Sequence, residues 1–348
     1  MQRLAHPTVF RHYKARERVD MFESLLSELK PFYEVAVLSH IRPDADCIGA
    51  QSGVCSLLEA HDIKYTAFNE DPVPSNLLWM KHAKKIQLLE PGSLQGFEAV
   101  IFVDGNQTHR FTRKGDVVYE GSPFMSVMID HHPNPDTNFD IVCSDPTASS
   151  TCELIFRWFE QVGLDKLGAQ TAQSLFAGMM RDTGSFSFEN TGPSTLKTAG
   201  ELLQIGEFTP NVVVEKMSDK TLGTVKALGE VMQSIELTPS GKVATIMMTN
   251  EQMEMCAQFG EVDTDGFVNQ ALAINDVEVA LFFKESQNED IRMSLRAKGD
   301  VDVNIWARDL NGGGHQKAAG AMFQGSLERA REEALSVGRR HNPDLFRF

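Results

Sequence analysis

The chain has 348 residues and a mass of 38.7 kDa, a length that predicts two domains. With 42% hydrophobic and 23% charged residues, its composition is that of a globular protein and excludes wholesale disorder. Lys and Arg number 33 against 48 Asp and Glu, and the resulting formal charge of −15 argues against a protein that coats long nucleic acid. A small anionic substrate held through a bound cation is compatible with this charge.

Targeting and disulfide signals are missing from the sequence. The start, MQRLAHPTVFRHYKARERVD, is basic but contains no apolar core of a secretory signal. Because no apolar run reaches the ~18 residues of a membrane span, we expect a cytoplasmic protein without a membrane partner. The five cysteines are odd in number and form no CxxC pair, which indicates buried free thiols rather than a disulfide framework or a zinc ribbon.

The first half of the chain alternates strand and helix patterns. Apolar runs at 34–40, 98–106 and 124–134 each end in a turn rich in Asp or His, and they predict buried parallel strands. Weaker strand patterns are at 64–70 and 84–90, and helical patterns are at 47–63, 150–163 and 171–182. This alternation predicts an α/β fold with a mostly parallel sheet flanked by helices, in which ligands bind at the carboxyl ends of the strands.

The pattern changes after about residue 190. The predicted elements are helices at 191–206 and 209–235, strands at 242–249, 276–285 and 289–297, a helix at 301–310 and a glycine-rich turn at 311–320. This order predicts an N-terminal catalytic domain (1–200), a helical connector (201–240) and a smaller C-terminal α+β domain that binds substrate (241–348).

Carboxylates and imidazoles gather at the predicted strand and helix ends of the first domain. Asp44 and Asp46 have an i, i+2 spacing that aims both carboxylates at one spot in an extended chain, although each also fits a helix N-cap or a polar turn. The six candidate metal ligands are His40, Asp44, Asp46, Asp104, His131 and Asp182.

This donor set predicts the kind of metal centre. Four carboxylates and two imidazoles suit Mn²⁺, Mg²⁺ or Fe²⁺ more than an ion that prefers thiolates. We expect Mn²⁺ first, with Mg²⁺, Fe²⁺ or Co²⁺ as alternatives. The number of ligands suits two divalent ions that share one bridging carboxylate. A pair of such ions generates hydroxide and stabilises both the attacking and the leaving oxygen of a phosphoryl displacement.

Five sequence motifs carry a resemblance to a known family. HIRPDAD, VDGN, IDHHPN and RDTGSF, in this order and spacing, resemble the four motifs of the DHH phosphoesterase family. NGGGHQKAAG resembles the glycine-rich motif of the C-terminal domain associated with it. The likeness is to members of the nanoRNase and pAp-phosphatase type. It implies an enzyme that releases 5′-mononucleotides from very short oligonucleotides such as pGpG or pApA, and some such members also remove the 3′-phosphate of pAp.

The resemblance also implies roles for individual residues. Asp104 would bridge the two cations, His132 would face the scissile phosphate, and Asp130 would orient the histidines. The implied ligands are His40, Asp44 and Asp104 for one cation and Asp46, Asp104, His131 and Asp182 for the other. Arg181 and Cys47 depart from the family pattern without removing a ligand, and Arg181 adds charge beside the metals.

Substrate contacts are expected mainly from the C-terminal domain, with the substrate in the cleft between domains. Arg296 resembles a strand arginine that holds a terminal phosphate, although an exposed strand charge is the alternative. A glycine run lets backbone N–H groups approach an anion, although it also fits a flexible turn. The residues expected to contact substrate are Arg296, Gly312, Gly313, Gly314 and His315, with Arg110 and Ser150 as weaker candidates.

Other functions stay open at the level of the sequence. An inorganic pyrophosphatase or a single-strand exonuclease of the same superfamily would share the metal ligands. A non-catalytic nucleotide sensor is a further alternative, against which the six intact ligand positions argue. The acidic chain and the small C-terminal domain favour short oligonucleotides or pAp over long DNA, and a homodimer is compatible with the sequence.

Overall fold

The structure is a computed structural model that describes residues 11–12, 21–113, 124–217, 220–286 and 290–347. The chain forms two compact units, Met1–Asp219 and Lys220–Phe348. The division between them falls inside the stretch 201–240 for which the sequence predicts a connector. Among the helices of the described ranges, none combines the length and the apolar character that a membrane crossing requires.

The first unit contains a seven-stranded sheet in which every pair of neighbouring strands is parallel. Its strands are β1 (Arg11–His12), β2 (Glu34–Ser39), β3 (Lys64–Asn69), β4 (Gln87–Leu88), β5 (Ala99–Val103), β6 (Met125–Asp130) and β7 (Ile141–Ser144). The strand order is β1-β7-β6-β5-β2-β3-β4, so β6, β5 and β2 are direct neighbours at the centre. These three strands are almost wholly buried, as expected of a parallel sheet covered on both faces.

Alternate residues of the central strands face two different hydrophobic clusters. The larger cluster packs residues such as Val37 and Ile101 against the helices, and the smaller one packs Leu38 and Phe102 against loop residues such as Phe139. The helices of this unit are α1 (Met21–Leu29), α2 (Ala45–Ala60), α3 (Thr151–Val162), α4 (Ala169–Asp182), α5 (Pro193–Gly206) and α6 (Pro210–Met217). The predicted α/β fold of the N-terminal part is confirmed.

The second unit is an α+β fold, as predicted, around a six-stranded mixed sheet. Its elements are α7 (Leu222–Gln233), β8 (Glu236–Leu237), β9 (Val243–Met248), α8 (Asn250–Ala257), α9 (Phe267–Leu272), β10 (Val279–Glu285), β11 (Asp290–Ala297), α10 (Val303–Asp309), β12 (Gly313–His315), β13 (Ala318–Gln324) and α11 (Leu327–His341). The strand order is β12-β13-β11-β10-β9-β8, and only β9 and β10 pair in parallel. One face packs against α10 and α11, the other against α7, α8 and α9.

The glycine-rich segment differs from the predicted turn. Gly313–His315 form β12, which pairs antiparallel with β13 at the edge of the sheet, so the expectation of a turn through the whole segment is wrong. Gly314 has a φ of 147°, and a Cβ atom there would lie 2.5 Å from the carbonyl oxygen of Ala318. The glycines therefore allow a close approach of two backbones rather than only a reversal of the chain.

Candidate metal centre

The candidate ligands lie at the carboxyl ends of the three central strands of the first unit. His40 directly follows β2, Asp104 directly follows β5, and Asp130 ends β6 with His131 next in the chain. Because β6, β5 and β2 are parallel neighbours, these side chains meet at one edge of the sheet. An apolar run followed by a polar turn thus places Asp and His side chains at the edge where open α/β sheets bind ligands.

Asp44 and Asp46 do not act as the extended pair that their spacing suggested. Asp44 is the N-cap of α2, and its Oδ1 accepts hydrogen bonds from the N–H groups of Asp46 (3.0 Å) and Cys47 (3.2 Å). Asp46 already lies in the first helical turn, so its carboxylate leaves the backbone in another direction. The expectation of one shared spot is wrong, because the cap starts the helix one residue before Asp46.

The ligands form two separate donor groups, and within each the donor atoms lie within 4.8 Å of one another. The first donor group consists of His40, Asp44, Cys47 and Asp104. The second donor group consists of Asp46, His131 and Asp182. All six predicted ligands therefore belong to one group or the other, and the two adjacent carboxylates of the DAD sequence belong to different ones.

Asp104 belongs to the first donor group and also faces the second. Its Oδ2 is 3.5 Å from His40 Nε2 and 3.3 Å from Cys47 Sγ, which are members of the first group. Its Oδ1 is 3.8 Å from Nε2 of His131, a member of the second group. One oxygen of the same carboxylate thus faces each donor group, which is the placement that a bridging ligand requires.

Helix α3 fixes two of the carboxylates through its first turn. The Asp46 carboxylate accepts hydrogen bonds from the N–H groups of Thr151 (2.7 Å) and Cys152 (3.0 Å), and the Thr151 hydroxyl donates to Asp104 Oδ1 (3.0 Å). The positive end of the helix dipole favours negative charge at this place. The sequence analysis missed Thr151, and the only signal for it is its place at the start of a predicted helix after a run of small residues.

Ser150 and Gly178 shape the surroundings of Asp46. Ser150 is the fully buried N-cap of α3, and its Oγ accepts a hydrogen bond from the N–H group of Glu153 (3.1 Å). On α4, a Cβ atom at Gly178 would lie 2.8 Å from Asp46 Oδ1 and 2.3 Å from Cys152 Sγ. The absence of a side chain at Gly178 therefore lets α4 approach the ligands closely.

Hydrogen bonds at Nδ1 orient the histidine rings. Nδ1 of His40 lies 2.7 Å from the carbonyl oxygen of Ile41, and Nδ1 of His131 lies 3.4 Å from that of Ala148. A carbonyl oxygen only accepts, so Nδ1 of each ring carries a proton and Nε2 is the nitrogen that faces the carboxylates, at 3.5 Å from Asp104 Oδ2 for His40 and at 3.0 Å from Asp182 Oδ2 for His131. Metal-binding histidines are held in the same way, with one ring nitrogen on a backbone carbonyl and the other directed at the ion.

Asp130 and His132 form a pair beside the donor groups. The Asp130 carboxylate accepts one hydrogen bond from the His132 N–H group (2.9 Å) and lies 2.8 Å from His132 Nδ1. Asp130 is completely buried, whereas the His132 side chain is 14% exposed. The buried carboxylate therefore fixes the ring and directs its other nitrogen away from Asp130.

The clustered carboxylates of the donor groups form an environment that favours bound cations. Burial, together with the charges of Asp104 and Asp182, raises the pKa of Asp46 well above its ordinary value, and burial also raises the pKa of Asp182. At Asp104 burial acts in the same direction, but the neighbouring histidines, His40 first, outweigh it and lower the pKa. Buried carboxylates that repel one another are stabilised by a cation between them, so the donor set fits divalent metal ions.

Two arginines adjoin the first donor group. Arg181 Nε donates a hydrogen bond to Asp44 Oδ2 at 3.4 Å. Arg181, which departs from the family pattern, therefore brings its guanidinium group into contact with a candidate metal ligand. The carbonyl oxygen of Arg110 accepts a hydrogen bond from the Ile41 N–H group (2.8 Å), which fixes the backbone of Arg110 beside the end of β2. The positive charge of Arg110 contributes to the lowered pKa of Asp104. Both are half-buried.

In the second unit, two predicted substrate residues share one row of the sheet. Arg296 of β11 and His315 of β12 are both paired with Ala318 of β13, one on each side. Directly paired residues of antiparallel strands project from the same face, so Arg296 and His315 flank a small alanine side chain. Gly312 directly precedes β12, and Gly313 and Gly314 lie within it.

Comparison with known proteins identifies the family of the chain. The model of the DHH family, N-terminal domain, matches residues 34–179, and that of the DHHA1 domain matches residues 253–338. The chain is 31% identical over 299 residues to the bifunctional oligoribonuclease and PAP phosphatase NrnA of Bacillus subtilis, with 84% of this chain and 90% of that protein covered. The chain belongs to the DHH family.

Further relatives of this DHH protein agree over most of its length. It is 26% identical over 310 residues to the bifunctional oligoribonuclease and PAP phosphatase NrnA of Thermus thermophilus, with 88% and 89% of the two chains covered. A crystal structure of an exopolyphosphatase-related protein from Bacteroides fragilis matches with a TM-score of 0.85 and 26% identity, covering 94% of this chain and 98% of that one. The resemblance inferred from five motifs is confirmed, and as a DHH protein the chain is a phosphoesterase.

Proposed function

We propose that this DHH phosphoesterase releases 5′-mononucleotides from very short oligonucleotides, such as the dinucleotides pGpG and pApA, and removes the 3′-phosphate of pAp. It does so with two divalent cations, of which Mn²⁺ is the foremost candidate. The observation that carries the proposal is the division of the Asp104 carboxylate between two donor groups. The two oligoribonuclease and PAP phosphatase relatives, each covered over more than four fifths of its length, support the substrate class.

The ligands for each cation follow from the donor groups. The first cation would be held by His40, Asp44 and Asp104, and the second by Asp46, His131, Asp182 and the other oxygen of Asp104. When bound, two such ions supply Lewis-acid chemistry that polarises a phosphate and activates a water molecule. The hydrogen bonds from α3 hold Asp46 and Asp104 in place before any cation arrives.

His132 serves the phosphate directly. Its Nδ1 proton is held by Asp130, so Nε2 is the nitrogen that faces the substrate, where it contacts a phosphate oxygen or passes a proton to the leaving oxygen. Because Asp130 is completely buried and bonded to both the ring and the backbone of His132, the ring keeps one orientation throughout the reaction. Asp130 is therefore a positioning residue.

The second unit sets the substrate class. Arg296 and His315 provide a cationic side chain and an imidazole on either side of Ala318, which suits a phosphate at the end of a short substrate. The N–H group of Gly312 donates to the carbonyl oxygen of Ala307 (2.7 Å), so backbone donors for the same anion would come from Gly313 and Gly314. The net charge of −15 repels polyanions, so affinity should fall as the nucleic acid becomes longer.

An assay with the purified full chain tests this function. With Mn²⁺ present, pGpG and pAp should be hydrolysed, while pyrophosphate, a cyclic dinucleotide and a long single strand should be turned over at least about tenfold more slowly, because each lacks the short linear nucleotide with its terminal phosphate. Removal of divalent ions by a chelator should abolish turnover of pGpG and pAp. Preferred hydrolysis of pyrophosphate would contradict the nucleotide part of the proposal, and activity that persists in the chelator would contradict the metal part.

A further inference from the structure

Cys47 differs from the other four cysteines in its surroundings. All five are free and buried. Cys55 and Cys143 pack within the large hydrophobic cluster of the first unit, and Cys256 packs within a cluster of the second. Cys152 also belongs to the large cluster, and its Sγ lies 3.5 Å from the backbone carbonyl oxygen of Asp46. Cys47, although fully buried, belongs to none of the hydrophobic clusters of the described residues, and its Sγ lies 3.3 Å from Asp104 Oδ2. The usual reason for a buried thiol, packing as a small apolar group, therefore does not apply to it.

The position of Cys47 in its helix explains this placement. It is the third residue of α2, and the side chains of the first turn lean back toward the N-terminus, so residue N3 shares space with the N-cap. The N-cap here is the ligand Asp44, whose Oδ1 accepts the Cys47 N–H. The same turn that fixes Asp44 thus brings the thiol among the donor atoms of His40, Asp44 and Asp104, all within 4.8 Å of one another.

We propose that Cys47 is the fourth ligand of the first cation, which would then be held by one imidazole, two carboxylates and one thiolate. This inference rests on the two-cation function proposed above. Sulfur favours softer ions, so the thiolate should raise the affinity of the first site for Zn²⁺, Co²⁺ and Fe²⁺ more than its affinity for Mn²⁺ and Mg²⁺. The second donor group, Asp46, His131 and Asp182, contains no sulfur, so the two sites should differ in metal preference.

When Cys47 binds the cation, its thiol exchanges a proton for the metal ion. The S–H bond breaks, the proton leaves to solvent, and the sulfur lone pair forms a bond to the cation, whose oxidation state does not change. No oxidant or reductant takes part. Binding of a cation at the first site should therefore release one proton more in the wild-type protein than in a variant without the thiol.

The test is a titration of the metal-free full chain with Co²⁺ under reducing, oxygen-free conditions. A thiolate bound to Co²⁺ gives a strong near-ultraviolet charge-transfer band, and oxygen or nitrogen ligands give none of that strength. The wild-type protein should show the band, and Cys47→Ala should lose it. Zn²⁺ affinity of the first site should fall in Cys47→Ala at least about tenfold, the minimum loss seen when even a supporting residue of a metal site is removed. Mn²⁺ affinity should change far less.

Cys55→Ala is the matched control. Cys55 lies on the same helix and is equally buried, but it packs in the hydrophobic cluster, so its variant should keep the band. Circular dichroism shows whether each variant folds, and Cys47→Ser, which nearly keeps the volume of the side chain, replaces Cys47→Ala if the latter does not. A wild-type protein that binds two Co²⁺ and hydrolyses pGpG without the band would overturn this inference and leave the proposed function intact. Retention of the band in Cys47→Ser would also overturn it, whereas failure to bind Co²⁺ or hydrolyse pGpG at all would overturn the proposed function itself.

Discussion

The first unit encloses its candidate site residues, whereas the second unit presents its own candidates at the edge of a sheet. Asp46 and Asp130 are completely buried and Asp104 is 2% exposed, but Gly313–His315 form an exposed edge strand. Each buried carboxylate is bonded to a backbone N–H group or a hydroxyl, which fixes the distances that a metal centre needs. The edge strand leaves backbone groups open to a ligand. The proposed reaction centre is therefore preorganised, while the proposed substrate contacts of the second unit lie on an exposed edge of its sheet.

The largest effect should come from Asp104→Asn. This change keeps the shape of the side chain and an oxygen that accepts from Thr151, but it removes the charge shared by the two donor groups. We expect activity on pGpG to fall at least about 10³-fold, as when a principal electrostatic stabiliser of a reaction is removed. Isothermal titration with Mn²⁺ should show fewer than two ions bound.

Asp276→Asn is the control for this variant. Asp276 is exposed in the second unit and has a backbone φ of 63°, close to the 60° of Asp104, but belongs to neither donor group. It should keep full activity and full cation stoichiometry. Hydrolysis at the wild-type rate in Asp104→Asn would remove the basis for a bridging carboxylate in the first unit.

The next effect concerns the stability of the first unit in acid. Burial, helped by the charge of Lys81, lowers the pKa of His82 to about 4, while its ring contacts Tyr65 OH (3.0 Å) and Ser56 Oγ (3.1 Å). Below about pH 6.5 the imidazole of His82 therefore binds a proton in the unfolded chain but stays neutral in the folded protein. The free energy of unfolding accordingly decreases as the pH falls from about 6.5 to about 4. This histidine should cost the folded protein roughly 2 kcal/mol between pH 7 and pH 5.

Urea unfolding at the two pH values measures this contribution. His82→Asn should remove it, since Asn tolerates the φ of 66° at this position and does not titrate. The matched control is His109→Gln, because His109 is exposed, and it should retain the wild-type pH dependence. Equal loss of stability in wild type and His82→Asn would show that His82 does not contribute to the acid sensitivity of this unit.

The smallest effect should come from the second unit. Arg296→Ala removes one charge-assisted hydrogen bond to substrate, worth about 1.5–3 kcal/mol, so KM for pAp should rise about tenfold or more. The rate on a simple phosphodiester that lacks a terminal phosphate should change little, because the metal centre is untouched. Arg292→Ala is the control, because Arg292 is exposed and lies earlier on the same strand, β11. A loss of kcat on both substrates, with KM unchanged, would place Arg296 outside substrate binding.

The location of the metal centre could be predicted because its signal is local. An apolar run followed by Asp104, or by Asp130 and His131, marks a strand and its carboxyl end within a few residues. Parallel pairing then brings the strand ends together without further information from the sequence. The same reasoning covers the fold class of both units.

The finer geometry could not be predicted, because it depends on contacts between distant segments. The Thr151 hydroxyl reaches Asp104, 47 residues away in the chain, and the N–H group of Cys152 reaches Asp46, 106 residues away. The N-cap at Asp44, which separates the two carboxylates, was only one of two local alternatives in the sequence. The strand at Gly313–His315 forms because β13 provides a partner, and a glycine run by itself suggests a turn.

The backbone at Asp104 has a consequence for how this position tolerates mutation. Its φ of 60° is a left-handed conformation that costs most side chains roughly 1–2 kcal/mol, with Gly, Asn and Asp as the usual exceptions. In a saturation library, Gly and Asn should yield folded but inactive proteins, and Glu should keep a carboxylate but strain the turn. Aspartate alone satisfies both demands, so the residue at this position can tell hydrolases from folded, inactive derivatives among related chains.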